Sequence, residues 1–237
     1  MMLKSFNCMS RLGLYFVFLS VLALGWEAEH SVKADPVDDF SFMITRGSAA
    51  YGAYGTLSSG AIAQILVSKL DLFPNSQAPK LATHLVSLCK KYRFDPTFVL
   101  SLVKVESDFR VGVVSPSGAI GLMQLMPGTA DFVAKRYAIP YHGERSLKDP
   151  YTNLSIGVAY LSYLRTKYKA FSPYVHIAAY NIGPAKLHEL MSHKDFKPTA
   201  TKAYYENIRK AVPTMRFYGS RELAGKASAA GYGRHGI

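Results

Sequence analysis

Two Asp-Pro pairs, Asp95-Pro96 and Asp149-Pro150, each head a long apolar run that shows no strand-like alternation. Aspartate before proline is a strong helix start. The carboxylate caps exposed N–H groups, and proline's fixed φ suits the first helical position, where its missing N–H is not needed. The segments that follow, PTFVLSLVKVES and PYTNLSIGVAYLSYLRTKYKAF, therefore read as helices. Pro79 opens another through KLATHLVSLCKKY, with Leu81, Leu85 and Leu88 on one face. Further helices are expected from Pro127 (PGTADFVAKRY) and over residues 61–69, 174–180, 184–191 and 201–212. No sustained period-two pattern competes with them, so the expected fold class is mainly α.

The chain of 237 residues, 49% hydrophobic, holds enough apolar surface for one core flanked by flexible ends. Residues 1–34 read as an export signal. Lys4 and Arg11 precede the apolar stretch LGLYFVFLSVLALGW, which is short for a membrane span, and Val32-Lys33-Ala34 fits a cleavage site before Asp35. An uncleaved signal anchor is the alternative. Cys8 lies before the apolar stretch, the wrong place for lipid attachment. Residues 35–77 form a poorly ordered lead-in by composition, residues 78–218 the main domain, and residues 219–237 a disordered basic tail. Losing residues 1–34 removes Lys4, Arg11, Lys33, Glu27 and Glu29, so the net charge moves from +12 to about +11. Such a surface suits nucleic acid, anionic lipid or an acidic wall polymer, and export argues against nucleic acid. Only Cys89 would remain, as a buried thiol without a disulfide partner.

One acidic side chain stands apart. On the helix opened by Asp95, Phe98, Leu102 and Glu106 share a face at i, i+4 and i+8, with Val99 and Val103 beside it. Glu106 falls in the last turn, where the helix dipole disfavours negative charge, and an apolar setting adds desolvation. Both raise its pKa, and a carboxyl still protonated near neutrality can serve as a general acid. Taken alone, the helix reads more simply as an amphipathic one that meets solvent at Glu106. The next segment, VVSPSGAIGLMQLMPGTA, shifts that balance: a Ser-Pro-Ser-Gly turn and two glycines permit close approach, and Gln124 interrupts an apolar stretch. Later, Tyr180-Asn181 stands beside the helix break at Gly183-Pro184.

In combination these segments resemble the catalytic domain of the lytic transglycosylases, a family with a goose-type lysozyme-like fold. Its Glu-Ser pair, Gly-Leu-Met-Gln-x-Met-Pro segment and Ala-Tyr-Asn triplet appear as Glu106-Ser107, Gly121-Leu122-Met123-Gln124-Leu125-Met126-Pro127 and Ala179-Tyr180-Asn181. Asn153, Gly157, Tyr160 and Leu161 match the family's Asn/Gly helix, and the likeness runs over roughly residues 80–212. One departure falls near its end. Where the family often carries Glu-Thr-x-x-Tyr-Val, this chain has Ala200 for the acid and Tyr205 for the valine.

The resemblance implies a lysozyme-like helical domain with a substrate groove, acting on peptidoglycan glycan strands without cofactor or metal. It makes Glu106 the single acid/base for the bond between N-acetylmuramic acid and N-acetylglucosamine. Glu106 would protonate the glycosidic oxygen and then take the proton of the muramoyl 6-hydroxyl as that oxygen attacks C1, leaving a 1,6-anhydro end. Ordinary glycosidases need two carboxylates. Here the substrate's N-acetyl group and hydroxyl take the second one's place, and Asp108, about 200° round the helix, should face elsewhere. By motif position, Ser115, Ser117, Gln124, Met126, Tyr180 and Asn181 are the expected substrate-binding residues, and Ser107 supports the helix end. A lysozyme-like hydrolase using water and a non-catalytic wall-binding or assembly protein are the rivals. A secretion or flagellar assembly stays open as a host, and membrane contact would follow only from an uncleaved signal.

Two other motifs are weak. HELMSH spaces His188 and His193 five apart, unlike the zinc-binding i, i+4 pair, and Ser101-Leu102-Val103-Lys104 lacks the Lys-Thr-Gly companion of penicillin-binding enzymes.

Overall fold

A computed structural model describes Ile44, residues 57–71, 73–192 and 199–231. All of these fall within one compact unit, Asp39–Ile237; the other, Met1–Asp38, contains the expected signal and lies outside the described residues. Eight α-helices account for most of the described chain: α1 (Ser59–Lys69), α2 (Ala78–Tyr92), α3 (Pro96–Ser107), α4 (Pro127–Tyr137), α5 (Pro150–Lys167), α6 (Pro173–Ile182), α7 (Pro184–Met191) and α8 (Thr199–Gly231). Extended pairing among the described residues is limited to isolated bridges, so the mainly α expectation is borne out.

The helix starts work as the Asp-Pro pairs imply. Asp95 accepts from Thr97 N at 2.7 Å and Asp149 accepts from Thr152 N at 2.8 Å, with proline next in each case. The bodies of these helices differ from a one-faced pattern. α3 is buried on every side from Pro96 to Val103, and α5 buries residues round its circumference, including Leu154, Ile156, Val158, Ala159 and Leu161. Both are central helices: α3 packs against α8 and α2, and α5 against α2, α4 and α6. Cys89 is buried and free, as expected, and desolvation holds its thiol protonated.

Two expected boundaries need correction. The lead-in is not poorly ordered throughout, because α1 places Ala61, Ile62, Ile65 and Leu66 in the core, and Ile44 is buried as well. Arg165 secures this region, donating to Ile44 O at 3.2 Å and to Arg93 O at 2.7 Å. At the other end α8 does not stop at Val212. It continues through Pro213 to Gly231, past the start of the compositional tail. Proline removes one helical N–H, but Val212 and Met215 on either side of it are buried and hold the helix to the domain.

Candidate active site

Glu106 sits in the last turn of α3, half-buried. The helix ends there because Asp108 and Phe109 both turn left-handed, at φ 52° and 62°. Asp108 points its carboxylate at Lys104, one turn back on the exposed side, and so faces away from Glu106 as its offset requires. Burial pushes the Glu106 carboxyl up to about 7 from an ordinary 4.5. One contact opposes this: the Tyr204 hydroxyl, carried in by α8, donates to Oε1 of Glu106 and favours the charged form. Tyr180 is close enough for the Glu106 charge to raise its own pKa further, beyond the effect of burial. Its hydroxyl is committed elsewhere, donating to Met123 O at 2.8 Å.

A folded loop between α3 and α4 forms the wall beside the acid. Ser107 joins the two, donating to Leu122 O at 2.9 Å and to Val103 O at 3.2 Å. Within the loop Val114 bridges Ile120, which bridges Leu125. Ser115 Oγ accepts from Ala119 N at 3.0 Å and closes the turn that carries exposed Ser117. Gln124 adopts φ 47°, and its Nε2 donates to Gly121 O at 2.9 Å and Val113 O at 3.3 Å. Met126, 45% exposed, ends the loop, while Asn181 lies exposed on the last turn of α6.

Asn153, fully buried on α5, holds this loop in place. Its Nδ2 donates to Ile120 O and Leu147 O, both at 2.9 Å, and its Oδ1 accepts from Met123 N at 2.8 Å. Two glycines make the approach possible. A Cβ on Gly121, at φ 80°, would lie 2.3 Å from Asn153 Nδ2, and one on Gly157 would lie 2.3 Å from Met123 Sδ. Met123 thereby links three motif segments: its N–H meets the Asn153 helix and its carbonyl takes the Tyr180 hydroxyl.

The structure thus gathers Glu106, Ser107, Tyr180 and the Gly121–Met126 loop at one end of α3. Gln124 spends its donors on the loop itself, and Ser117, Met126 and Asn181 stand at the surface. The sequence reading did not select Tyr204. Its signal was present: Tyr204 keeps the tyrosine of the divergent Glu-Thr-x-x-Tyr-Val segment, whose neighbours Ala200 and Tyr205 depart from the pattern.

Comparison with known proteins agrees with this arrangement. The family model described as "Transglycosylase SLT domain" matches residues 87–202. The "Soluble lytic murein transglycosylase" of Escherichia coli K12 is 36% identical over 116 residues, covering 47% of this chain and 17% of that protein. The "Membrane-bound lytic murein transglycosylase C" of Actinobacillus pleuropneumoniae is 35% identical over 104 residues, covering 40% of this chain and 28% of that protein. Among solved structures, an inactive glutamate-to-glutamine mutant of the lytic transglycosylase Slt from Pseudomonas aeruginosa matches with a TM-score of 0.50 and 28% identity, covering 60% of this chain and 24% of that one. The chain therefore spans well under a third of the length of these relatives. With its motif residues gathered round one half-buried glutamate, residues 87–202 of this chain, from α2 into α8, are similar to the transglycosylase SLT domain.

Proposed function

We propose that this chain is a peptidoglycan lytic transglycosylase. It cleaves the bond between N-acetylmuramic acid and N-acetylglucosamine and leaves a 1,6-anhydromuramoyl end, with Glu106 acting first as acid and then as base. One observation carries the reading. Glu106 is a carboxyl with a pKa raised to about 7, oriented by Tyr204, while the nearest acid in sequence, Asp108, is turned away into an ion pair. A group with that pKa can give a proton to a leaving oxygen and take one back at the same pH. Among the described residues no second carboxylate acts on Glu106, an arrangement that suits a nucleophile supplied by the substrate, the muramoyl 6-hydroxyl. Inactivity of the glutamate-to-glutamine mutant among the structural relatives supports a catalytic glutamate.

In this reading Ser115, Ser117, Gln124, Met126, Tyr180 and Asn181 contact the glycan, and Ser107 and Asn153 fix the wall they belong to. The signal-like residues 1–34 and the basic charge support an exported chain working in the bacterial cell envelope. Among the described residues no helix is long and apolar enough to cross a membrane.

Mass spectrometry of muropeptides released from purified sacculi tests the proposal. Anhydro ends are expected, and Glu106→Gln should release none. Reducing ends would replace the transglycosylase with a hydrolase, and equal release by wild type and Glu106→Gln would remove Glu106 from its role.

A further inference from the structure

A column of aromatic rings leads from the site to the surface. The Tyr180 ring, beside Glu106, lies 5.3 Å from Tyr160. Tyr160 stacks on Tyr163 at 6.2 Å with 13° between planes, and Tyr163 meets Phe132 edge-on at 5.1 Å. The column ends in the open: Tyr163 is half-buried and Phe132 is 43% exposed. Phe132 stands on α4, whose first residue follows the equally exposed Met126. One helical turn beyond Phe132, the Arg136 guanidinium lies 5.4 Å over the Tyr163 ring. Among the described residues Arg136 forms no ion pair, whereas its neighbour Lys135 is held by Asp131 at 2.7 Å. Packing explains Tyr160, but it does not require a large exposed ring with an unneutralised cation beside it.

We infer that Phe132, Tyr163 and Arg136 form a distal subsite for the strand cleaved at Glu106, taking a sugar ring on the two aromatics and a peptide-stem carboxylate on Arg136. The inference rests on the function proposed above and extends it along the substrate. Pyranose rings present apolar C–H faces that pack on aromatic surface, and Phe132 and Tyr163 offer such surface without a competing partner ring outside. The planar guanidinium of Arg136, already oriented by Tyr163, matches a carboxylate bidentately. Met126, at the start of α4, adds a second exposed apolar side chain on the loop side of the helix.

The test measures strand binding by the full chain carrying Glu106→Gln, so that binding is read without turnover. Long stem-bearing glycan strands are compared with single disaccharide–peptide fragments. Phe132→Ala should cut the preference for long over short substrate roughly fivefold, and Phe132→Trp should restore it. Arg136→Ala should cut it roughly threefold on stem-bearing strands and much less on strands stripped of their stems. Thermal melting of each variant verifies its fold. The subsite is overturned if both alanine variants bind long strands like their parent, if long and short substrates lose affinity equally, if Trp fails to restore, or if the parent shows no preference for length. Failure of the unaltered chain to release any cut product from sacculi would instead strike the catalytic reading, and the length preference of binding would still decide the subsite.

Discussion

At the residue scale, the balance at Glu106 yields two measurable consequences. Its folded pKa of about 7 lies above the ordinary 4.5, so the folded chain keeps a proton that the unfolded chain releases between those values. Stability therefore falls as pH rises through that window, and the loss is complete above about pH 7. Glu106→Gln has no proton to lose and still offers an oxygen to Tyr204. It should stabilise the protein by about 2 kcal/mol near pH 8 and by almost nothing near pH 4, as read from denaturant unfolding at the two pH values. Tyr204 acts in the opposite direction, because its hydrogen bond favours the carboxylate. Tyr204→Phe should move the alkaline limb of the kcat/KM profile to higher pH while lowering activity through looser orientation of the acid. A profile lower in height but unmoved in pH would mean that Tyr204 only packs there.

At the element scale, the site depends on how α5 grips the loop between α3 and α4. Asn153 answers three buried backbone groups with one side chain, and no apolar residue could do so. Asn153→Ala would leave the Met123 N–H and the Ile120 and Leu147 carbonyls unpaired, at about 1–3 kcal/mol each before relaxation. A net loss of about 3–5 kcal/mol is expected, seen as a lower denaturant midpoint, together with a fall in kcat as the Met123 carbonyl that holds Tyr180 shifts. The helices themselves were legible in the sequence because their starts are local chemistry: Asp95-Pro96 and Asp149-Pro150 cap them as written. The loop was legible only as a motif. Its shape depends on left-handed backbone at Asp108, Phe109 and Gln124, none of them glycine, and on contacts such as Asn153 to Ile120 that no local pattern encodes. Tyr204 escaped notice for the same reason, since its partner lies 98 residues away in sequence.

For the whole molecule, both ends of the described domain bear on the setting of Glu106, one directly and one through its neighbours. α8 delivers Tyr204 from the C-terminal side, while α1 packs on α2 and α8 from the N-terminal side. Composition assigned residues 35–77 to a loose lead-in, because the segment is rich in Ser, Ala, Gly and Tyr and shows little periodicity beyond one short helix. Burial decides otherwise, and it does so through a handful of side chains: Ile62, Ile65 and Leu66 on α1, with Ile44 fastened by Arg165. Fully burying each such aliphatic side chain contributes about 1.5–3 kcal/mol, and ordering the eleven residues of α1 opposes much of that gain. Removing α1 also exposes the apolar faces of α2 and α8 that it covers, which makes the net effect unfavourable. A chain beginning at residue 78 should therefore be at least about 3 kcal/mol less stable than one beginning at residue 39, and its α8 should seat less firmly on α3. The melting temperatures of the two chains measure the first effect. The second predicts that the shorter chain loses more activity than stability alone accounts for at a temperature where both are folded, because Tyr204 reaches Glu106 only when α8 is docked. Equal melting temperatures would return α1 to the lead-in. A lower melting temperature with undiminished activity would mean that α8 holds Tyr204 in place without α1.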